Sequence, residues 1–177
     1  MVVGLRMQLP KAAAHARHVY AVSDLHTDYA SNMDWVSALS DCEYQQDVLI
    51  CAGDVCDRLD TFRQTMELLV SKFLVVFYTP GNHELWVKRD GSEGEDSLQK
   101  LLRLESVCRS LGVITSPQRV RLASGGALRI CPLLSFHHTS FDTEPEVLSL
   151  RLPPVQNGVH AGLSFRTCQC PCAMCRS

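Results

Sequence analysis

Apolar positions along the chain fall into two patterns. Three short runs are almost continuously apolar, and each stops at a turn: His18-Val19-Tyr20-Ala21-Val22 at Ser23-Asp24, Asp47-Val48-Leu49-Ile50-Cys51-Ala52 at Gly53-Asp54, and Phe73-Leu74-Val75-Val76-Phe77-Tyr78 at Thr79-Pro80-Gly81. Runs of this length, rich in β-branched and aromatic residues and bounded by turn residues, predict buried strands. Between the second and third runs, Leu59, Phe62, Met66 and Leu69 recur at spacings of three and four, which places one apolar stripe on a helix with Asp57 or Asp60 as its N-cap. After a polar loop from Lys88 to Asp96, Leu98, Leu101, Leu102, Cys108 and Leu111 predict a second helix, with Ser97 as N-cap and Gly112 as its stop. Farther on, Arg119–Leu122 and Ala127–Ile130 flank Ser124-Gly125-Gly126, the pattern of a hairpin with a glycine turn. Strands alternating with helices predict an α/β fold with a largely parallel sheet.

Length and composition add bounds. A chain of 177 residues is long enough for one domain with a sizeable core. It is 46% hydrophobic and 20% charged with a mean hydropathy of -0.01, as in ordinary soluble globular chains. Seventeen Lys and Arg against nineteen Asp and Glu give a net charge of -2, so no global basic field points to nucleic acid or an anionic membrane. A phosphate substrate, if there is one, must then be held locally. No apolar run reaches the roughly 18 residues that would span a bilayer. The first eighteen residues carry Arg6, Lys11, Arg17 and two histidines without an acid, a faint transit-peptide character without the usual amphipathic Arg/Ser pattern. With no secretory leader, the nine cysteines read as thiols in a reducing compartment, and a cytoplasmic location is expected. Periodicity is lost from Gln156, and the closing Cys168, Cys170, Cys172 and Cys175 lack the two separated chelating pairs of structural zinc sites. The layout is therefore a 1–17 extension, an 18–155 domain and a 156–177 irregular, Cys-rich tail.

Candidate chemistry sits where the predicted strands stop, the place where open α/β sheets collect ligands. Asp24-Leu25-His26 offers a carboxylate and an imidazole two residues apart, Gly53-Asp54-Val55-Cys56-Asp57 a carboxylate directly after a glycine, and Gly81-Asn82-His83-Glu84 an amide oxygen and a second imidazole. Mixed oxygen and nitrogen donors suit manganese, iron or zinc. Two such ions about 3.5–4 Å apart generate hydroxide at neutral pH and clamp an in-line displacement at phosphorus. Asp24, Asp54 and Asn82 are also residue types that cap helices, but caps need no histidines. Cys51 and Cys56 read as small apolar packing groups, and Trp86 as cover for the core edge or a platform for a base.

The three blocks resemble those of the calcineurin-like metallophosphoesterases, Asp-x-His, Gly-Asp-x-x-Asp and Gly-Asn-His-Asp/Glu. Asp24 and Asp54 lie thirty residues apart, and Asp54 and Asn82 twenty-eight, each the length of one strand-helix-strand step. The resemblance covers residues 18–155 and implies a β-sandwich flanked by helices (α/β/β/α). It also implies two divalent ions, drawn from manganese, iron, zinc or nickel, and hydrolysis of a phosphate mono- or diester by a metal-bridged hydroxide. On this resemblance Asp24 and His26 hold one metal, Asp54 bridges both and Asn82 holds the second. His83 stands by the leaving-group oxygen as a catalytic imidazole rather than a ligand, and Asp57 orients it. The family also places a further metal histidine and a Gly-His-x-His pair downstream, and no Gly-His-x-His occurs in these 177 residues. His137 and His138 follow an apolar run and resemble a segment where a histidine contacts substrate; their plain reading is solvated loop. Two expectations follow: an active metal-dependent phosphoesterase, or a domain incomplete at its C-terminus that binds metal poorly and acts through a partner. Substrate, metal and oligomeric state are not specified by these blocks.

Overall fold

The structure, a computed structural model, describes residues 15–87 and 96–135. Its strands are β1 (His15–Ala16), β2 (Val19–Val22), β3 (Val48–Ala52), β4 (Val75–Thr79), β5 (Gln118–Leu122) and β6 (Ala127–Ile130). Its helices are α1 (Ala30–Ala38), α2 (Leu59–Lys72) and α3 (Ser97–Leu111), with a short 3-10 turn at His83–Leu85. One sheet has the order β2-β3-β4, all parallel, and the other β1-β5-β6, with β1 parallel and β6 antiparallel to β5. The three apolar runs thus become adjacent parallel strands, with Val48 opposite both Val19 and Val75. All three end on the same side.

Side chains alternate across the pleat, and the alternation in β3 and β4 builds two layers of core. Val48 and Phe77 are fully buried in one cluster with Ala16, against which Val19, Ile50, Val75, Val120, Leu122 and Ile130 pack. The two sheets therefore face each other through this cluster. Burying a side chain the size of Phe77 contributes about 1.5–3 kcal/mol. On the opposite face, Tyr78 meets Phe62 of α2 with ring centroids 4.9 Å apart, and Met66 and Leu69 of the same helix are buried. The buried Lys72 at the end of α2 reaches α1, where its ammonium donates to Ser37 O (3.1 Å), Leu39 O (2.6 Å) and the Asp41 carboxylate (2.6 Å). No described helix is long and apolar enough to cross a membrane.

Several local expectations are corrected. The N-cap of α2 is Arg58, with no side-chain cap bond, so neither Asp57 nor Asp60 caps it. Asp60 lies in the first turn, where a carboxylate still meets the positive end of the helix dipole. Asp96 rather than Ser97 caps α3: its side chain accepts from Gln99 N at 2.8 Å and the Gln99 side chain returns a bond to Asp96 N at 3.0 Å, a capping box. Leu98 and Leu102 are exposed, and the buried face of α3 is Lys100, Leu104, Val107 and Cys108. Gly112 does end the helix, in the left-handed conformation. Helix α1 and strand β1 are additions, and β1 lies inside the segment read as an N-terminal extension. The hairpin at Gly125 and Gly126 is present as β5 and β6. The compact unit ends at Leu134; the loop at 88–95, His137, His138 and the Cys-rich tail lie outside the described residues.

The Asp96→Ala variant is expected to lose about 1 kcal/mol of stability, the usual worth of an N-cap, read from the midpoint of urea unfolding. An unchanged midpoint would mean that α3 does not depend on this box.

Candidate metal centre

The loops leaving β2 and β3 are zipped together beyond the end of the sheet. Asp24 N donates to Gly53 O (3.1 Å), His26 N to Asp54 O (3.0 Å) and Thr27 N to Val55 O (2.8 Å). These bonds hold an unusual backbone: Asp24, His26 and Asp54 have positive φ of 56°, 43° and 54°, a region that non-glycine residues enter at a cost. Such outliers cluster at functional sites, where the surroundings enforce them. Asn32, in the first turn of α1, supports the first loop by donating to Leu25 O (2.9 Å) and His26 O (3.2 Å). Gly53 (φ 85°) allows the loop after β4 to close in, since a Cβ there would lie 2.7 Å from Gly81 N.

A fully buried carboxylate joins this third loop to the second. Glu84 Oε2 accepts from Asp54 N (3.1 Å) and Gly81 N (2.9 Å), and Oε1 accepts from Val55 N (2.5 Å). Burial raises the Glu84 pKa to about 7, with the Asp54 charge adding to it, against the lowering pull of the Val55 and Gly81 N–H donors. Neighbouring thiols are buried too: burial pushes Cys51 up to about 12 and Cys56 further still, so both pack rather than react.

The side chains held by these loops converge. Asp24 Oδ1 lies 3.9 Å from His26 Nε2, and donor atoms of His26, Asp54 and His83 all fall within 4.8 Å of one another. Ligands of a single ion, each about 2.0–2.3 Å from it, sit at roughly such separations, so His26 and Asp54 are placed to share a divalent metal, and His83 stands at the same range from both. Helix capping does not account for it, because the N-caps of α1 and α2 are Tyr29 and Arg58, and Asn82, before the 3-10 turn, makes no side-chain cap bond. The His83 backbone N–H donates to Asp54 Oδ1 (3.1 Å), which orients the central carboxylate.

The His83 ring is itself held on several sides. Its Nδ1 lies 3.0 Å from Asp57 Oδ1, the Trp86 ring packs on it with centroids 3.9 Å apart, and the His26 ring meets it edge-on at 4.6 Å. Burial lowers the His83 pKa, but the Asp57 hydrogen bond and the charges of Asp54, Asp57 and Glu84 outweigh it and leave it above its ordinary value. Asp57 is buried, and its backbone N–H donates to Asp28 Oδ2 at 2.7 Å.

The structure thus brings Asp24, His26, Asp54, His83 and Asp57 to one place, with Asn82 in the same loop as His83. Sequence reasoning assigned nothing to Glu84 or Lys100. Glu84 stands in the third block and was open to notice; Lys100, with its ammonium on Asp57 O and Trp86 O, lies on a distant helix and carries no local signal.

Comparison with known proteins follows the same line. Residues 17–150 match the family model of calcineurin-like phosphoesterases. The chain is 35% identical over 130 residues to the acyl-carrier-protein phosphodiesterase PptH of Mycobacterium tuberculosis (strain ATCC 25618 / H37Rv), covering 70% of this chain and 38% of that protein. It is similar to the crystal structure of phosphopantetheinyl hydrolase (PptH) from Mycobacterium tuberculosis, with a TM-score of 0.63 and 32% identity over 76% of this chain and 48% of that one. The chain spans less than half the length of these relatives.

Replacing Glu84 with Gln turns an N–H donor toward backbone donors. The expected result is a loss of about 2 kcal/mol in stability, the scale of leaving a buried backbone donor without its acceptor, together with weaker manganese binding in calorimetric titration. Unaltered metal affinity would show that the loops keep their geometry without this carboxylate.

Proposed function

The chain belongs to the calcineurin-like phosphoesterase family, and on that premise we propose that it carries the metal centre of a phosphodiesterase acting on a phosphopantetheinyl diester of a carrier protein. The observation that supports the chemistry is the convergence of Asp24, His26, Asp54 and His83 at the ends of three parallel strands. The substrate class rests on similarity to a protein named as an acyl-carrier-protein phosphodiesterase and solved as a phosphopantetheinyl hydrolase.

In this reading Asp24, His26, Asp54 and Asn82 hold two divalent ions from the set manganese, iron, zinc and nickel. When bound, such ions supply Lewis acidity toward phosphoryl oxygens and lower the pKa of water toward neutrality. The protein's own groups orient the rest. His83, with Nδ1 hydrogen-bonded to Asp57, keeps Nε2 for the leaving-group oxygen. The hydrogen bond to the Asp57 carboxylate stabilises an imidazolium, which can give that oxygen a proton as the P–O bond breaks. Asp57 fixes the ring's orientation and stabilises its charge. Because the net charge is only -2 and no global basic field exists, the anionic diester must be gripped at the site itself.

The test is manganese-dependent hydrolysis of an aryl phosphodiester and an aryl phosphomonoester by the purified chain, with metal content measured alongside. Bound manganese, preference for the diester and release of phosphopantetheine from a loaded carrier protein are expected. Asp54→Asn should cut turnover by more than about 100-fold, since even residues that merely hydrogen-bond to metal ligands are worth 10–100-fold. Turnover equal to wild type in that variant would sink the mechanism, and preference for the monoester would sink the substrate class.

A further inference from the structure

We propose that Lys100 is a positioning residue of this centre, its buried ammonium fixing two of the three groups that meet the His83 ring. Lys100 projects from α3 and is 1% exposed. Its Nζ donates to the backbone carbonyls of Asp57 and Trp86. Those residues lie in different loops, one after β3 and one after β4, and they meet the same imidazole: Asp57 Oδ1 at Nδ1 (3.0 Å) and the Trp86 ring against the face (centroids 3.9 Å). One ammonium therefore ties two neighbours of His83, Asp57 and Trp86, to a helix that contributes no ligand. A second bond from the same helix, Ser97 Oγ to Leu85 O at 2.8 Å, anchors the intervening 3-10 turn.

A charged group in the interior is costly unless its donors are satisfied, and an unbranched apolar side chain would fill the same space on α3. Among the partners of this lysine are backbone carbonyls of two loops at the site. Lys72 supplies the contrast. It is equally buried and also donates to backbone carbonyls, but those belong to Ser37 and Leu39 at the end of α1, away from His83. Lys72 joins helices, whereas Lys100 joins the two loops that set a reacting group, and orientation of such a group is worth more than its packing alone. The inference rests on the reading of His83 as the group that faces the substrate.

The test needs no turnover, so its failure and that of the hydrolysis experiment are separable. The chain has two tryptophans, Trp35 and Trp86, and Trp35→Phe leaves Trp86 as the sole indole, whose emission the contact with the His83 ring is expected to quench. In that background Lys100→Met is expected to lose the quenching, reaching the emission of a His83→Leu reference, and the double variant Lys100→Met/His83→Leu to gain nothing more, the mark of coupled residues. Lys72→Met is expected to lower the melting temperature and leave the quenching intact. Folded Lys100→Met with quenching preserved overturns the proposal, as does equal relief of quenching in Lys72→Met. Should Lys100→Met not fold, Lys100→Gln, which keeps N–H donors on a shorter uncharged stem, takes its place with the same criteria. If neither variant folds, Lys100 holds the fold as a whole and the proposal fails.

Discussion

The Glu84 carboxylate accepts the backbone N–H groups of Asp54, Val55 and Gly81, and the geometry of the candidate metal centre descends from those three bonds. Two parallel strands end side by side, but nothing in a sheet ladder dictates how the chain proceeds once the ladder stops. A buried acceptor with two oxygens supplies that instruction: it binds one loop at two consecutive residues and the other at a third. With the loops so joined, the Asp54 carboxylate is brought to the His83 N–H, and a side chain on Gly81 would strike Asp54 Oδ1. The glycine is thus a consequence of the closeness that Glu84 enforces. The buried carboxyl is in turn tolerable only because the loops present donors to it.

Strain is the counterpart of this enforcement. Asp24, His26 and Asp54 all have positive φ, and each such residue costs on the order of 1–3 kcal/mol. Asp is among the residues that accept this region most readily, which reconciles the backbone's demand with the need for carboxylates at these positions. The hydrogen bonds from Asp24, His26 and Thr27 to the second loop, and from Asn32 to the first, offset the cost. Loops free of such support would relax, and the donor atoms would spread beyond the reach of one ion.

Much of this was legible in the sequence, and what was not has identifiable causes. The three strands announce themselves as apolar runs ending at turn residues, and Asp24, His26, Asp54, Asn82 and His83 stand at those ends. Helix α1 leaves no stripe to read, because only Val36 among its residues is buried and Trp35 is exposed. For α3, counting Leu98 and Leu102 as core turns the helix to the wrong face. The true face runs through Lys100, Leu104, Val107 and Cys108, spaced four, seven and eight from a lysine, and a pattern that scores lysine as polar cannot start there. The cap of the same helix was within reach, since Asp96 has Gln99 three residues later. Asp57 as a cap for α2 failed for a different reason: its carboxylate is engaged by His83, a contact between residues 26 positions apart that no local rule contains.

Burial sorts the polar groups of the centre by what they do. Glu84, Asp57 and Lys100 are at most 2% exposed, and each bonds to backbone or to another side chain of the site. The side chains of His26 and Asp24 are 22% and 58% exposed, open to water and to ions. A charge sealed inside can set geometry but exchanges neither protons nor ligands readily with solvent; one at the rim can do both. Catalysis by preorganised electrostatics requires this division, because donors already fixed before the substrate arrives incur no reorganisation at the moment of reaction. His83 stands between the layers, half-buried, with Nδ1 bound inward to Asp57. It is the group through which the buried framework meets the exposed rim, its ring packed against the Asp57 carboxylate and the Trp86 indole, with Lys100 bonded to the backbone carbonyls of both residues.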